Sequence, residues 1–447
     1  MPLFASFASN LHESPPQFEP AQSTPPPFIR DKHVATKAVT STSRPTAIFL
    51  VIALAGALVL LFDAASIRTT VAHWGNLAGE RLSGKSLLLS KGDPNESEAS
   101  LAYFIQISES TVPLLPRLLR VVWHPDNVYV VHFDKKIPEW QRSHAEAALF
   151  KGKKQYKANV QVMKPETVTY RGISMVLNLL SAMQSALDLG PDWKYFINIS
   201  GSDYPLVSVE NQRKLLGTED FLARNRSFFS FSNEGWWEES KEYRFDLLYT
   251  DTSLSFNDSE SEVIAAHKEQ PIAKTAAFTF VAAEAWMMLH RQFVTFLLTS
   301  SYARRMLLSF SYSLEPEEHY FASVAFNNQL FNESNVAHAM RHVQWVHDGK
   351  HSGQHPYYID EKDADGKTWT FRKEIEDSSC FFTRKIRVQD SGLLTYIDTH
   401  ISGVAKKPVM KDVNEYMTRV TNSLGCLANL PAGNFYGPCF KKRRRPQ

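Results

Sequence analysis

Three short polar runs hold the side chains that could do chemistry. The first, Ser200-Gly201-Ser202-Asp203-Tyr204-Pro205, sets one carboxylate among small hydroxyls, a flexible glycine and a proline that forbids helix at Tyr204. It follows Tyr195 to Ile199, a short apolar, β-favouring run that reads as a buried strand. Ligands of open α/β sheets sit just beyond the carboxyl ends of their strands. Asp203 is therefore either a site residue or the cap of the next turn or helix. In the second run, Pro316-Glu317-Glu318-His319, two carboxylates lie in the first turn of a helix predicted over Glu315 to Phe326. Proline at the first helical position and acids near the positive dipole end are ordinary helix starts, so this run alone implies only capping. The third run, Arg384-Lys385, taken by itself, is two solvated cations on a loop.

Several chemistries are disfavoured outright. The three cysteines, Cys380, Cys426 and Cys439, show neither CxxC spacing nor histidines at metal-ligand intervals, which argues against a zinc site and leaves room for one disulfide of unassigned pairing. No GxGxxG or Walker A run is present. A formal net charge of +2 over 447 residues gives no reason to expect nucleic acid, and Lys441 to Arg445 reads as a solvated terminus. The 43% apolar content is ample for a packed core.

The elements that must position these groups come in a definite order. Residues 1–45, rich in Pro, Ser and Thr, cannot bury enough surface to offset ordering entropy and are expected to be a disordered cytosolic tail. Thr46 to Phe62 is uncharged and apolar, extendable to Ile67, and long enough for a short membrane span. Arg30, Lys32, Lys37 and Arg44 precede it, so positive-inside reasoning turns the remainder toward the lumen. The expected organisation is a tail (1–45), a signal anchor (46–67), a stem (68–98), a folded α/β domain (99–410) and a C-terminal extension with a basic tail (411–447). Glycosylation sequons fall at Asn95, Asn198, Asn225, Asn257 and Asn332; Asn95 and Asn257 sit in polar loops, whereas Asn198 lies in a predicted buried strand.

Within the domain, strands are predicted at Leu101 to Ile107, Asn127 to Phe133, Val160 to Met163 and Tyr195 to Ile199. Between them, helical spacing covers Val112 to Val122, Glu139 to Phe150 and Gly172 to Leu189. This alternation means a parallel-rich sheet with crossover helices. Further on, Ser227 to Ser232 reads as a strand, Asn233 to Lys268 as a polar loop, and Ala285 to Leu298 as a helix.

Read together, the runs resemble the Core-2/I-branching family of β-glycosyltransferases, in particular its peptide-O-xylosyltransferase and plant β-glucuronosyltransferase branch. The carriers are AYFIQIS and WHPDNVYVVHFDKK (Ala102 to Lys136), VTYRG (Val168 to Gly172), FINISGSDYPL, AWMMLHRQFV (Ala285 to Val294), PEEHYFASVAFNN (Pro316 to Asn328), Trp345, His355-Pro356, FFTRKI (Phe381 to Ile386) and Tyr396-Ile397-Asp398. The resemblance spans roughly Leu101 to Ile401. It implies a GT-A-type, Rossmann-like α/β fold with a mixed, mostly parallel sheet, behind a type II Golgi anchor. It also implies inverting, metal-independent transfer of xylose, glucuronate or N-acetylglucosamine from a UDP-sugar to a glycan or proteoglycan acceptor, with no cofactor.

In that chemistry one base takes the acceptor proton and UDP leaves unaided, so one carboxylate suffices. Glu318 matches the family's base, with Glu317 as its neighbour. Lys385 and Arg384 match the basic diphosphate contact, which must stabilise the departing charge if no metal does. Asp134 matches a uridine contact and Asp203 the loop near the donor sugar. No upstream arginine is matched to a further phosphate contact. Trp237 and Trp286 are candidate sugar platforms, with core packing as the alternative. The sole Asp-x-Asp, Asp363-Ala364-Asp365, lies in a late polar loop and reads as a surface turn. The rival reading of the whole chain is a membrane-anchored relative that binds glycan without turnover.

Overall fold

The computed structural model describes residues 98–404 except 191, 223–224, 232–240, 242, 256–260, 271–276, 337, 346–355, 363–365, 367, 379 and 390. The tail, the anchor and all but the last residue of the stem lie outside the described residues. So do Trp237, His355, the Asp363-Ala364-Asp365 run, Cys426, Cys439, Asn95, Asn257 and the C-terminal extension from 411 onward. Among the described residues no helix is long and apolar enough to cross a membrane.

The strands are β1 (Leu101–Ile107), β2 (Val128–Phe133), β3 (Val160–Val162), β4 (Tyr195–Ser200), β5 (Asp203–Pro205), β6 (Ser227–Phe231), β7 (Leu247–Asp251), β8 (Val263–Glu269), β9 (Ala283–His290), β10 (Asn335–Val336), β11 (Arg341–Val343) and β12 (Phe382–Arg384). Seven of them form one sheet in the order β10-β6-β9-β4-β1-β2-β3. β1, β2, β3 and β4 are mutually parallel, and β9 alone runs against its neighbours β4 and β6. The mixed, mostly parallel sheet expected from the alternation is what forms.

Both faces are covered, which is why these strands read as continuous apolar runs. Tyr103, Ile105, Tyr129, Val131 and Ile197 pack with Leu115, Leu118 and Leu119 on one side. Phe104, Val130, Phe196 and Leu289 pack with Val176, Leu179 and Met183 of the helix Ser174–Leu189 on the other. Each such side chain, fully buried, contributes about 1.5–3 kcal/mol.

Four local expectations need correction. The run Ala285 to Leu298 is not one helix: β9 occupies its first part and the helix Arg291–Thr299 its second, with His290 capping the helix by accepting the Gln292 N–H at 3.2 Å. Ala, Met and Leu favour helix intrinsically, but a slot between two strands, buried on both sides, outweighs that preference. The turn Asp203 to Pro205 is also a strand, paired antiparallel with β12 so that Asp203 faces Arg384. With β11 these two strands make a separate small sheet in the order β11-β12-β5. The polar stretch 233–268 contributes β7 and, with Glu269 beyond it, β8, which form an antiparallel pair of their own. Finally, Glu315 to Phe326 is broken at His319 into a tight turn, Pro316–Glu318, and the helix Tyr320–Phe326.

Asn198 is buried within β4, as expected of that sequon, and its amide serves the sheet instead: it donates to the Ala285 carbonyl at 2.8 Å and accepts from Met287 N–H at 2.9 Å. Those bonds brace β9 where its register against β6 slips. A second brace closes the far end of the chain. Arg117 bonds Asp398 at 2.8 Å, and the Tyr204 hydroxyl donates to the same carboxylate at 2.7 Å.

Candidate functional site

The carboxyl ends of β1, β2 and β4 and the amino end of antiparallel β9 lie at one edge of the sheet, where ligands of such folds bind. Asp134 ends β2 at this edge. Its Oδ1 accepts the Lys136 N–H at 2.9 Å, the Lys136 ammonium stands 3.6 Å from Oδ2, and burial lifts its carboxyl above the ordinary range. The Lys136 ammonium in turn donates to the Val168 carbonyl at 2.7 Å, tying this corner to the VTYRG loop. A side chain at Gly172 in that loop would have to displace the Asp251 carboxylate, whose Oδ2 accepts the Ser174 N–H at 2.9 Å.

Asp203 is wholly buried and its oxygens are engaged. Oδ1 accepts from Arg341 at 2.8 Å; Oδ2 accepts from the Ser200 N–H at 2.6 Å and from the Ser200 hydroxyl at 2.9 Å. Burial alone would raise this carboxyl, but the Arg341 and Arg384 guanidiniums outweigh it and hold it below the usual range. Arg341 also donates to the Asn198 carbonyl at 3.0 Å. Asp203 thus acts on the site through Arg341 and through the pairing that brings Arg384 across from it.

Arg384 lies 4.0 Å above the Trp286 ring centroid and Arg341 lies 5.0 Å from the same ring. The indole is a platform for two guanidiniums, which cation–π attraction explains. Arg384 is buried, and its Nε and Nη1 have no hydrogen-bond partner among the described residues. Burial works against its charge, which Asp203 favours and Arg341 opposes. Lys385 is half-buried, with its ammonium 5.5 Å from the Tyr358 ring centroid.

The second charged group surrounds the turn Pro316–Glu318, which packs against β9 and the helix Ser174–Leu189. Glu318, partly exposed, accepts from Arg244 at 2.6 Å and from Lys241 at 3.1 Å. Burial pushes its carboxyl upward; the Arg244 and Lys241 charges override this and hold it below the usual range, so it stands ionised. Arg244 also bonds Glu315 and donates to His319 Nε2 at 3.0 Å. With Nδ1 against the Val281 carbonyl at 3.2 Å, His319 is neutral, its pKa driven far down by burial and the cations beside it. Burial brings Lys241 down to about 8. Glu317 points the other way. It is buried, its Oε2 has no partner among the described residues, and burial with the adjoining Glu318 charge lifts it to about 8. The two neighbouring glutamates, indistinguishable as letters, are separated by their electrostatics: Glu318 is charged and reachable, Glu317 protonated and enclosed.

Glu315 and Arg171 hold this corner together. Their side chains pair at 2.6 Å, the Glu315 N–H donates to the Arg171 carbonyl at 2.9 Å, and both backbones are left-handed, at φ +53° and +68°. Met340, immediately before Arg341, is left-handed as well. Such strain costs roughly 1–3 kcal/mol per residue and persists where surrounding contacts over-determine it.

Glu284, Arg341, Arg244, Lys241, Arg171 and Glu315 were not anticipated from sequence. Arg341 left no trace among the histidines and glutamine around it, and Lys241 and Arg244 look like any surface charges. Glu284 receives the Trp345 indole N–H at 3.3 Å. Burial and the Glu318 charge raise its carboxyl above the usual range, with Arg384 and Arg341 acting in the opposite sense. Among the described residues no cluster of three or more His, Cys, Asp or Glu forms a metal-ligand set.

The described residues thus bring to the carboxyl edge of a mixed α/β sheet an ionised carboxylate, an enclosed acid and a buried arginine with two unpartnered nitrogens. Residues 101–366 match the model of the Core-2/I-branching enzyme family, and the chain belongs to that family. It is 32% identical over 309 residues to the β-glucuronosyltransferase GlcAT14B of Arabidopsis thaliana, covering 67% of this chain and 66% of that one. It is 31% identical over 299 residues to GlcAT14A of the same plant, covering 66% and 62%. It is 27% identical over 235 residues to the β-1,3-galactosyl-O-glycosyl-glycoprotein β-1,6-N-acetylglucosaminyltransferase 4 of Danio rerio, covering 52% and 50%. The chain therefore spans a little under two thirds of its plant relatives' length and half of the fish protein's.

Proposed function

We propose that this chain is an inverting glycosyltransferase that moves a sugar from a UDP-sugar to a hydroxyl of a glycan or proteoglycan acceptor, forming a β-linkage without a metal. Family membership supports the class, and its relatives are named for transfer of glucuronate and N-acetylglucosamine. The observation that carries the mechanism is that an ionised, partly exposed Glu318 and a buried Arg384, whose Nε and Nη1 have no partner among the described residues, both lie at one sheet edge.

In this reading Arg384 and Lys385 take the diphosphate, and their fixed charge offsets what develops on the leaving oxygen. Asp134 meets the uridine. Glu318 removes the acceptor proton as the hydroxyl oxygen attacks the anomeric carbon from the side opposite the diphosphate, and the bond to UDP breaks. Arg244 keeps Glu318 ionised and oriented, while neutral His319 buttresses Arg244 without adding charge. Asp203 positions Arg341 and Arg384. The GT-A-type fold assignment, and the type II Golgi placement through Thr46 to Phe62 with a lumenal domain, belong to the same proposal.

The test is turnover of a UDP-sugar panel by the full-length chain in EDTA, beside Glu318→Gln. Loss of a general base costs on the order of 10²–10⁴-fold. The variant should therefore lose kcat to that extent while still binding UDP. Turnover that appears only with added Mn²⁺ would sink the metal-independent reading, and full activity in the variant would sink Glu318 as the base.

A further inference from the structure

Glu284 is a carboxylate of the site that the mechanism leaves without work. It is the second residue of β9, at the sheet edge where the β6–β9 register slips, and such irregularities re-aim side chains beside active sites. The turn carrying Glu318 packs directly on this strand, and Trp286, two residues further along, carries both Arg384 and Arg341. Glu284 lies close enough to Glu318 and to both arginines for their charges to act on its carboxyl. The hydrogen bond it accepts from the Trp345 indole engages Oε1 and is long at 3.3 Å. That leaves Glu284 with accepting capacity to spare at the corner where Trp286, the platform of Arg384, and the turn carrying Glu318 meet on the same strand.

In-line displacement puts the donor sugar at that corner, with the diphosphate on the arginine side and the attacking hydroxyl on the Glu318 side. A carboxylate there accepts hydrogen bonds from the hydroxyls of a neutral sugar. Against a sugar that carries its own carboxylate it sets like charge beside like charge in a partly desolvated pocket, which costs several kcal/mol when uncompensated. Specificity of this kind rests on a repulsive element as much as on an attractive one.

We propose that Glu284 is a specificity-determining residue of the donor site, selecting a neutral UDP-sugar and disfavouring UDP-glucuronate. The proposal rests on the glycosyltransferase reading above and narrows it. It also separates this chain from the relatives named as β-glucuronosyltransferases, to which it is 32% and 31% identical.

UDP-glucose and UDP-glucuronate differ only in the oxidation of C6 and make the clean pair of probes. The full-length chain in detergent, in neutral buffer, is titrated with each against a fluorescent UDP probe, beside Glu284→Gln and Glu284→Ser. The wild type should prefer UDP-glucose by about tenfold or more, and both variants should narrow that ratio by about tenfold, the equivalent of ~1.4 kcal/mol. UDP itself serves as the control for an intact site, so a variant that no longer folds is recognised and the other decides. A wild type that prefers UDP-glucuronate, or a ratio that neither variant moves, overturns the proposal while leaving the transferase reading intact. Failure of unlabelled UDP to displace the probe from the wild type overturns both.

Discussion

Replacing Asp203 by Asn should destabilise the whole domain, because the carboxylate and its partner are both shut away from water. The side chains of Asp203 and Arg341 are fully buried and 2.8 Å apart. Breaking such a pair from one side strands an uncompensated charge and costs about 3–5 kcal/mol. Asn retains an acceptor for Arg341, so the lower end applies, about 3 kcal/mol. At roughly 2–4 °C per kcal/mol for a large domain, the melting temperature should fall by about 6–12 °C. The pH dependence has a definite sign. Asp203 is held below its unfolded pKa, so its contribution is fully present above the ordinary carboxylate range and is lost only as pH falls through the depressed folded value. The difference between wild type and variant should therefore be constant from neutral pH down to about pH 5 and shrink below that. Thermal unfolding of the full-length chain in detergent across that range is the assay. The double variant Asp203→Leu with Arg341→Met should recover much of the loss, since an apolar pair of similar volume removes both buried charges. A variant that melts with the wild type yet no longer binds UDP-sugar would refute this reasoning and mean that Asp203 spends its carboxylate on the donor.

Removal of the guanidinium in Arg384→Ala should weaken UDP binding by about 10–100-fold, the worth of a charge-assisted hydrogen bond, with a smaller fall in melting temperature than Asp203→Asn causes. Calorimetric titration with UDP checks it, and Arg384→Lys should not restore the loss because a point charge does not reproduce the planar fork. Glu317, lifted to about 8, keeps its proton in the folded state while the unfolded chain releases it, so its own contribution to wild-type stability should decline between about pH 5 and pH 8, against the rise contributed by the buried neutral histidines. Glu317→Gln should flatten that decline, as melting curves across the interval would register; an identical slope in the two proteins would rule out a protonated Glu317. If the domain is lumenal, peptide N-glycosidase should shift the mobility of the full-length chain, and the shift should shrink when Asn95 or Asn257 is changed to Gln.

Much of the fold was legible because its signals are local. Glu139–Phe150 and Leu101–Ile107 have the boundaries their spacing suggests, since each is set by one period and its flanking breakers. β9 was misread because propensity speaks for Ala, Met and Leu as helix formers, whereas the slot between β4 and β6 is created by segments far away in the chain. The same holds for Asp203: the proline and glycine around it do spell a turn, and only the arrival of β12 makes it a strand. Of the site, the runs carrying Glu318 and Arg384 could be picked out by likeness to a family. Arg244 and Arg341 could not, because a buried arginine and a surface arginine are the same letter until their carboxylate partners are placed.

Chain order also sets when the site can exist. Asp203 waits for an arginine 138 positions later, Tyr204 for a carboxylate 194 positions later, and Arg117 for that same carboxylate 281 positions on. At roughly 5–20 residues per second of synthesis, the last interval is about 15–60 s during which the early strands are made but their charged partners are not. A chain stopped between Glu318 and β12 carries Glu318 with no Arg384 to oppose it, so both halves of the site exist only once β12 has been made.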